Sequence, residues 1–163
     1  MRGLPRGPCL PPEPLPREER MTLRVLVVDD HPAFRRALTS ALSMVEEIEV
    51  AGEAGGGLEA TEQVQVIEPD LVIMDLSMPD ISGIEAMREI HRRRPDLPVV
   101  FLTAHADPGV EREARAAGAR GFLAKGSALE DLVIVLHEAA DGGLSGADGA
   151  SAGRGSGRSP DRS

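Results

Sequence analysis

Five side chains suited to handling metal ions and phosphoryl groups stand directly after short apolar runs of this 163-residue chain. Asp29 and Asp30 follow Leu23–Val28, Asp75 follows Leu71–Met74, Thr103 follows Val99–Leu102 and Lys125 follows Gly121–Ala124. Three carboxylates at close range repel one another, and at least one pKa rises unless a cation intervenes. A hard divalent ion held by oxygens relieves the repulsion, and Mg2+ suits a site of few carboxylates and several waters. A lysine adds a compact, movable charge that can pair with a carboxylate or a phosphoryl oxygen. A carboxylate beside such cations can act as a nucleophile toward a phosphoryl group. Phosphoryl transfer asks for positioning and charge neutralisation more than for covalent help, and these residue types supply both. Lys125 is also the only lysine among eighteen basic residues. In so arginine-rich a chain, a lone lysine at a strand end marks a chemical requirement that a planar guanidinium meets poorly.

These groups can meet only if the runs that precede them lie side by side. The runs Leu23–Val28, Ile48–Ala51, Leu71–Met74, Val99–Leu102 and Gly121–Ala124 are continuously apolar rather than alternating, which predicts strands buried on both faces, as in a parallel sheet. Five helical patterns separate and follow them. Phe34, Leu38, Ala41, Leu42 and Val45 form one stripe, with Pro32 in its first turn. Leu58, Val64 and Ile67 mark a second helix stopped before Pro69. Ser82 to Glu85 reads as a capping box opening a third, with Ile84, Met87 and Ile90 inward. Asp107-Pro108 opens a fourth and Gly118 closes it. Ser127 to Glu130 reads as a second capping box before Leu129, Leu132, Val133 and Leu136. The fold predicted is α/β: a doubly wound (βα)5 domain around a five-stranded parallel sheet. In such sheets ligands bind beyond the carboxyl ends of the strands, at the point where strand order reverses. Every residue of the acidic set falls at that edge, provided the first and third strands are neighbours.

Composition narrows the function classes. Hydrophobic residues make up 41% and aromatics 2%, so aliphatic side chains must build the core. The formal charge is −9, and residues 21–140 alone carry eleven basic against twenty-one acidic side chains, a net charge of −10. That argues against direct DNA binding, which needs an excess of phosphate-neutralising Lys and Arg. No apolar run approaches the ~20 residues of a membrane span. A single cysteine, Cys9, excludes an intramolecular disulfide and a cysteine-based metal cluster. Residues 1–21 are Pro/Arg-rich and read as a disordered extension without a secretory signal, with Met21 as the natural start. Residues 22–141 form the domain, and 142–163 read as a disordered Gly/Ser-rich tail. The expected location is the cytoplasm.

The stretches LRVLVVDD (Leu23–Asp30), LVIMDLSMPD (Leu71–Asp80) with Gly83, VVFLTA (Val99–Ala104) and GFLAK (Gly121–Lys125) resemble the receiver domains of response regulators in two-component systems, over roughly residues 22–141. Asp30-His31-Pro32, and Gly126 after the lysine, are most similar to the LuxR/NarL-type subfamily. The resemblance implies the flavodoxin-like receiver fold. It implies that Asp75 accepts a phosphoryl group from a sensor histidine kinase. It implies that Asp30, Asp75 and the Ser77 backbone carbonyl hold Mg2+ directly, with Asp29 acting mainly through water. Thr103 would bond the phosphoryl group, Lys125 would pair with it, and Phe122 would take the aromatic switch position. Such a domain is a signalling switch rather than an enzyme, catalysing only its own phosphorylation and dephosphorylation. LuxR-type regulators normally continue into a helix-turn-helix domain, whereas here a Gly/Ser tail follows. Output is therefore expected through a protein partner, such as a second copy or another regulator, and so through transcription only with a DNA-binding partner. A phosphorylation-independent adaptor or truncated regulator is the alternative reading. A magnesium phosphohydrolase of the haloacid dehalogenase type fits less well, because that chemistry wants Asp-x-Asp where this chain has adjacent Asp29-Asp30. His31 and His105 flank the set and read as solvated. Arg92-Arg93-Arg94 reads as a solvated helix end favoured by the dipole, and the methionines read as packing.

Overall fold

The computed structural model describes residues 22–105, 107–142 and 145–146. Five strands, β1 (Leu23–Val28), β2 (Ile48–Ala54), β3 (Leu71–Asp75), β4 (Val99–Thr103) and β5 (Gly121–Ala124), alternate with five helices, α1 (Pro32–Ser43), α2 (Gly57–Ile67), α3 (Gly83–Arg93), α4 (Pro108–Ala116) and α5 (Leu129–Ala140). All the pairings are parallel, in the order β2-β1-β3-β4-β5. This is the doubly wound (βα)5 arrangement of the flavodoxin-like receiver fold. A two-residue strand, β6 (Ser145–Gly146), adds itself parallel to β5. That pair falls in the stretch read from sequence as a disordered Gly/Ser-rich tail. Apart from Gly142, the rest of that stretch lies outside the described residues, as do residues 1–21 with Cys9 and Met21. No helix among the described residues is long and apolar enough to cross a membrane.

The sheet divides the core in two, because successive strand residues point to opposite faces. Leu26, Val28, Val72, Met74 and Phe101 pack on one side beneath α2, α3 and α4. Val25, Val27, Ile73, Val100 and Leu102 pack on the other beneath α1 and α5. Both faces are covered, so the strands show no alternation in sequence.

Helix starts follow local chemistry in three cases. Pro32 sits in the first turn of α1. At α3 the capping box forms as expected, with the Glu85 amide donating to Ser82 Oγ (3.2 Å) and the Ser82 amide donating to Glu85 Oε2 (2.9 Å). Asp107 caps α4 through the Gly109 amide (2.7 Å), and Gly118 ends it at φ +114°. At α5 the expected capping box does not form. The helix starts after Ala128, with no side-chain cap. Ser127 Oγ instead donates back to the Ala124 carbonyl (2.8 Å), across a turn in which Gly126 adopts φ +92°. Leu58 also departs from its expected inward place, being 57% exposed, and Ala60 and Val64 bury that face of α2 instead.

The start of α2 is capped from a distance. Its N-cap, Gly56, has no side chain to offer. Asp80, from the loop after β3, takes that role: Oδ1 accepts from the Gly57 amide (3.2 Å) and Oδ2 from the Leu58 amide (2.9 Å). A Cβ on Gly56 would stand 2.8 Å from Asp80 Oδ2, and one on Gly57 2.6 Å from Ile81 Cγ1. Gly56 and Gly57 thus leave the space into which this loop docks.

The backbone amide of Leu58, with that of Ile81, holds the Asp80 carboxyl below its usual range. A depressed folded-state pKa contributes stability above the ordinary carboxylate range, lost as pH falls through the folded value. At pH 7, Asp80→Ala should cost about 1 kcal/mol in urea unfolding, as loss of an N-cap does. Asp80→Asn, which keeps an acceptor, should cost less. The wild-type advantage over Asp80→Ala should fade in strong acid. Equal stability of wild type and Asp80→Ala at pH 7 would show that α2 needs no such cap.

Candidate functional site at the carboxyl edge of the sheet

The chain runs from β1 outward to β2 on one side, then returns to β3 on the other. The crevice opens between β1 and β3. Val28 registers with Met74, which brings the next residues, Asp29 and Asp75, to the same edge. Asp75 registers with Leu102 and Thr103 with Ala124, so Thr103 and Lys125 each stand one step further out. Gly83 opens α3 against this edge. A Cβ there would run into the Asp75 carbonyl and the Phe101 ring.

Asp29, Asp75 and Thr103 are the buried polar or charged side chains among the described residues. The Lys125 ammonium joins the two carboxylates, with Nζ 2.6 Å from Asp29 Oδ2 and 3.2 Å from Asp75 Oδ2. Asp75 Oδ1 accepts from the Ser77 amide at 3.3 Å. Asp30 is less enclosed, but its Oδ1 is buried and has no hydrogen-bond partner among the described residues. His31 Nδ1 stands 3.1 Å from that oxygen, close enough to pair as charges but outside hydrogen-bond alignment. Asp29, Asp30, His31 and Asp75 each place one ligand atom within 4.8 Å of the others. The three carboxylates of this set, with one unpartnered buried oxygen on Asp30, fit a hard divalent cation.

The electrostatics follow from burial and from this crowding. Burial above all pushes the Asp75 carboxyl up, and the Asp29 charge adds to it. The hydrogen bond and charge of Lys125 and the Ser77 amide pull the other way without cancelling the rise. For Lys125, burial alone would lower the pKa, but the hydrogen bonds and charges of Asp29 and Asp75 outweigh it and hold the cation more firmly than usual.

The structure brings together Asp29, Asp30, Asp75 and Lys125. Thr103 lies on the same edge, but its hydroxyl donates to the His105 carbonyl (2.9 Å). Ser77 is exposed beside Asp75 and meets it through its amide. Phe122 is 4% exposed and packs into the core on the α4 side. Three further side chains stand beside the site, and two of them, Phe34 and Arg35, carried no separate signal in sequence. His31 flanks the acidic cluster with its side chain solvated, its Nδ1 3.2 Å from Asp29 Oδ1. Arg35 donates to the Asp29 carbonyl (2.6 Å) and faces Glu53 on β2 (3.6 Å), tying down the turn that carries the paired aspartates. Phe34 lies over Lys125. All three follow Asp30 within five residues, and Phe34 was read there only as part of the helical stripe.

The family profile described as "Response regulator receiver domain" matches residues 25–137. The response regulator GacA of Pseudomonas aeruginosa is 36% identical over 116 residues, covering 71% of this chain and 54% of that protein. The response regulator UvrY of Escherichia coli is 36% identical over 120 residues, covering 74% of this chain and 55% of that protein. The chain thus spans about half the length of the curated relatives it matches. Among solved structures, the NarL signal receiver domain of Mycobacterium tuberculosis superposes with a TM-score of 0.71 at 32% identity, covering 76% of this chain and 99% of that one.

A carboxyl whose folded-state pKa is raised favours the fold at low pH, and that contribution is lost as pH rises through the folded value. Ionised Asp75 therefore counts against the fold at neutral pH when no metal is present. Asp75→Asn keeps the shape and removes the charge. In EDTA at pH 7 it should unfold at higher urea than the wild type, and added Mg2+ should narrow the gap. A lower midpoint for Asp75→Asn would mean that the Lys125 contact outweighs the burial cost.

Proposed function

This chain belongs to the response-regulator receiver family of two-component signalling, and from that premise we propose that Asp75 is the residue that takes the phosphoryl group, from a sensor histidine kinase. The observation that carries the reading is the trio Asp29–Lys125–Asp75, buried at the crevice where the strand order reverses, with the orphaned Asp30 oxygen beside it. A carboxylate oxygen of Asp75 attacks the phosphorus of the donor. An O–P bond forms, the bond from phosphorus to the donor nitrogen breaks, and the leaving imidazole recovers a proton from water. Lys125 stays cationic throughout and turns toward the phosphoryl oxygens, whose charge it offsets. Thr103 gives up the His105 carbonyl and donates its hydroxyl to a phosphoryl oxygen. Asp29, Asp30 and Asp75, with the Ser77 carbonyl, would hold Mg2+, which supplies charge neutralisation for the incoming phosphoryl group. Hydrolysis of the acyl phosphate resets the domain, so the only reaction it catalyses is on itself.

Output follows from a change of surface. Thr103 and Phe122 sit on adjoining strands that lead to the β4–α4 and β5–α5 connections, and they carry the change to the faces of α4 and α5. With a net charge of −10 over residues 21–140, this domain is a poor ligand for DNA. Its partner is a protein, such as another copy or a second regulator, and a histidine-kinase donor places it in the cytoplasm.

A small phosphodonor with Mg2+ should add one phosphoryl group to the wild-type intact mass and none to Asp75→Asn. Mg2+ alone should raise the melting temperature through linkage, and Asp30→Asn should lose that rise. If the mass gain persists in Asp75→Asn, the acceptor is another residue. Beryllofluoride, which mimics an acyl phosphate, should shift amide resonances across residues 103–126. Shifts confined to the loops that touch the ligand would refute the switch and spare the acceptor.

A further inference from the structure

The ammonium of Lys125 has a third neighbour besides its two carboxylates. Its Nζ stands 4.4 Å from the centroid of the Phe34 ring, inside the ~6 Å over which the ring quadrupole attracts a cation. The chain has three phenylalanines and no tyrosine or tryptophan. Phe101 and Phe122 are spent in the core on the α2–α4 side of the sheet. Phe34, a half-buried residue of α1, is the one aromatic packed against the core on the opposite side. With Leu38, Leu102, Leu123 and Leu129 it lines a small apolar cleft of about 180 Å³ that runs under the lysine stem.

We propose that Phe34 is a positioning residue: its ring holds the Lys125 ammonium over the Asp29–Asp75 pair while the hydrogen bonds of that ammonium are exchanged. The proposal rests on the phosphoryl-acceptor reading given above. Two contacts hold the ammonium to carboxylates, and the shorter one, 2.6 Å, is to Asp29 rather than to Asp75. A phosphoryl group on Asp75 moves the charge that Lys125 must meet, so the Asp29 contact has to give way. Hydrogen bonds to carboxylates are directional and break when the ammonium turns. Attraction to a ring face makes no claim on a particular N–H, so the nitrogen can turn without leaving. A free lysine side chain has many rotamers to lose when its end is held in one place. A ring packed across its end removes the outward rotamers before the phosphoryl group arrives. An aliphatic side chain could fill the cleft equally well, but it has no quadrupole to hold a cation.

The single lysine makes the contact directly observable, since lysine-selective ¹³C labelling reports one side chain. The ring current of Phe34 should shift the Lys125 ε-protons upfield. Phe34→Leu should abolish that shift and slow phosphorylation by a small phosphodonor about three- to tenfold, the loss expected for one cation–ring contact. Phe34→Tyr, which keeps the ring, should restore both. Leu38→Ala opens the same cleft with the ring in place, and should lower the melting temperature without moving the lysine signals or the rate. The proposal falls if the wild-type ε-protons are unshifted, if Phe34→Leu phosphorylates at the wild-type rate, or if Leu38→Ala slows the reaction as much as Phe34→Leu. A wild-type protein that gains no phosphoryl group overturns the acceptor reading instead, and the ε-proton shift then decides the ring contact by itself.

Discussion

Asp29 and Asp75 end two neighbouring strands, both are buried, and one ammonium lies between them. Like charges cannot be brought out of water at this range without a partner, since a buried ion that loses its partner destabilises a fold by several kcal/mol. Much of the site's surroundings serve this demand. The partner comes from the end of β5, three strands along from Asp29's own strand β1, so the sheet must be complete before the pair is compensated. Arg35 and the first turn of α1 fix the turn carrying Asp29, and Ser77 steadies the other carboxylate. The compensation is still partial, because one cation faces three carboxylates and leaves an oxygen of Asp30 without a hydrogen bond among the described residues. That residual imbalance leaves the crevice with an excess of negative charge.

The same economy shapes the route by which a change at Asp75 would leave the site. The Thr103 hydroxyl is already committed to the His105 carbonyl, and the Phe122 ring is already packed in the core. Neither is idle, so any response at either position replaces one satisfied arrangement by another. Elements that exchange two defined arrangements behave as switches rather than as springs, because close-packed interiors do not deform continuously.

Much of this was legible in sequence, for physical reasons. A strand covered on both faces must be apolar throughout, so its run ends where the chain reaches the sheet edge, and the first polar residue names the site. That rule located Asp29, Asp75, Thr103 and Lys125. Local capping chemistry was legible at Ser82 and Asp107, where donor and acceptor lie within three residues. It misled at Ser127, whose hydroxyl found a carbonyl of the preceding strand end instead of an amide of the next helix. What sequence could not show was contact across the fold. The ring over Lys125 looked like one more member of an apolar stripe. Nothing in sequence near the triple glycine says what caps α2, because the group that does so, Asp80, lies more than twenty residues further on. The pairing of Ser145–Gly146 involves two residues and leaves no pattern at all.

That remote cap has a consequence for the order in which the chain assembles. A helix ordinarily begins where its own sequence supplies a stop, and nucleating the first turn is the unfavourable step. The first turn of α2 has only glycines before it, and its amides wait for a carboxylate that arrives when β3 and the loop beyond it have joined the sheet. Until then the turn is free to fray, so α2 becomes complete only after the segment that follows it in sequence. The loop bearing Asp80 and the start of α2 are in this sense a single unit, since local opening of either would strip the other of these two hydrogen bonds.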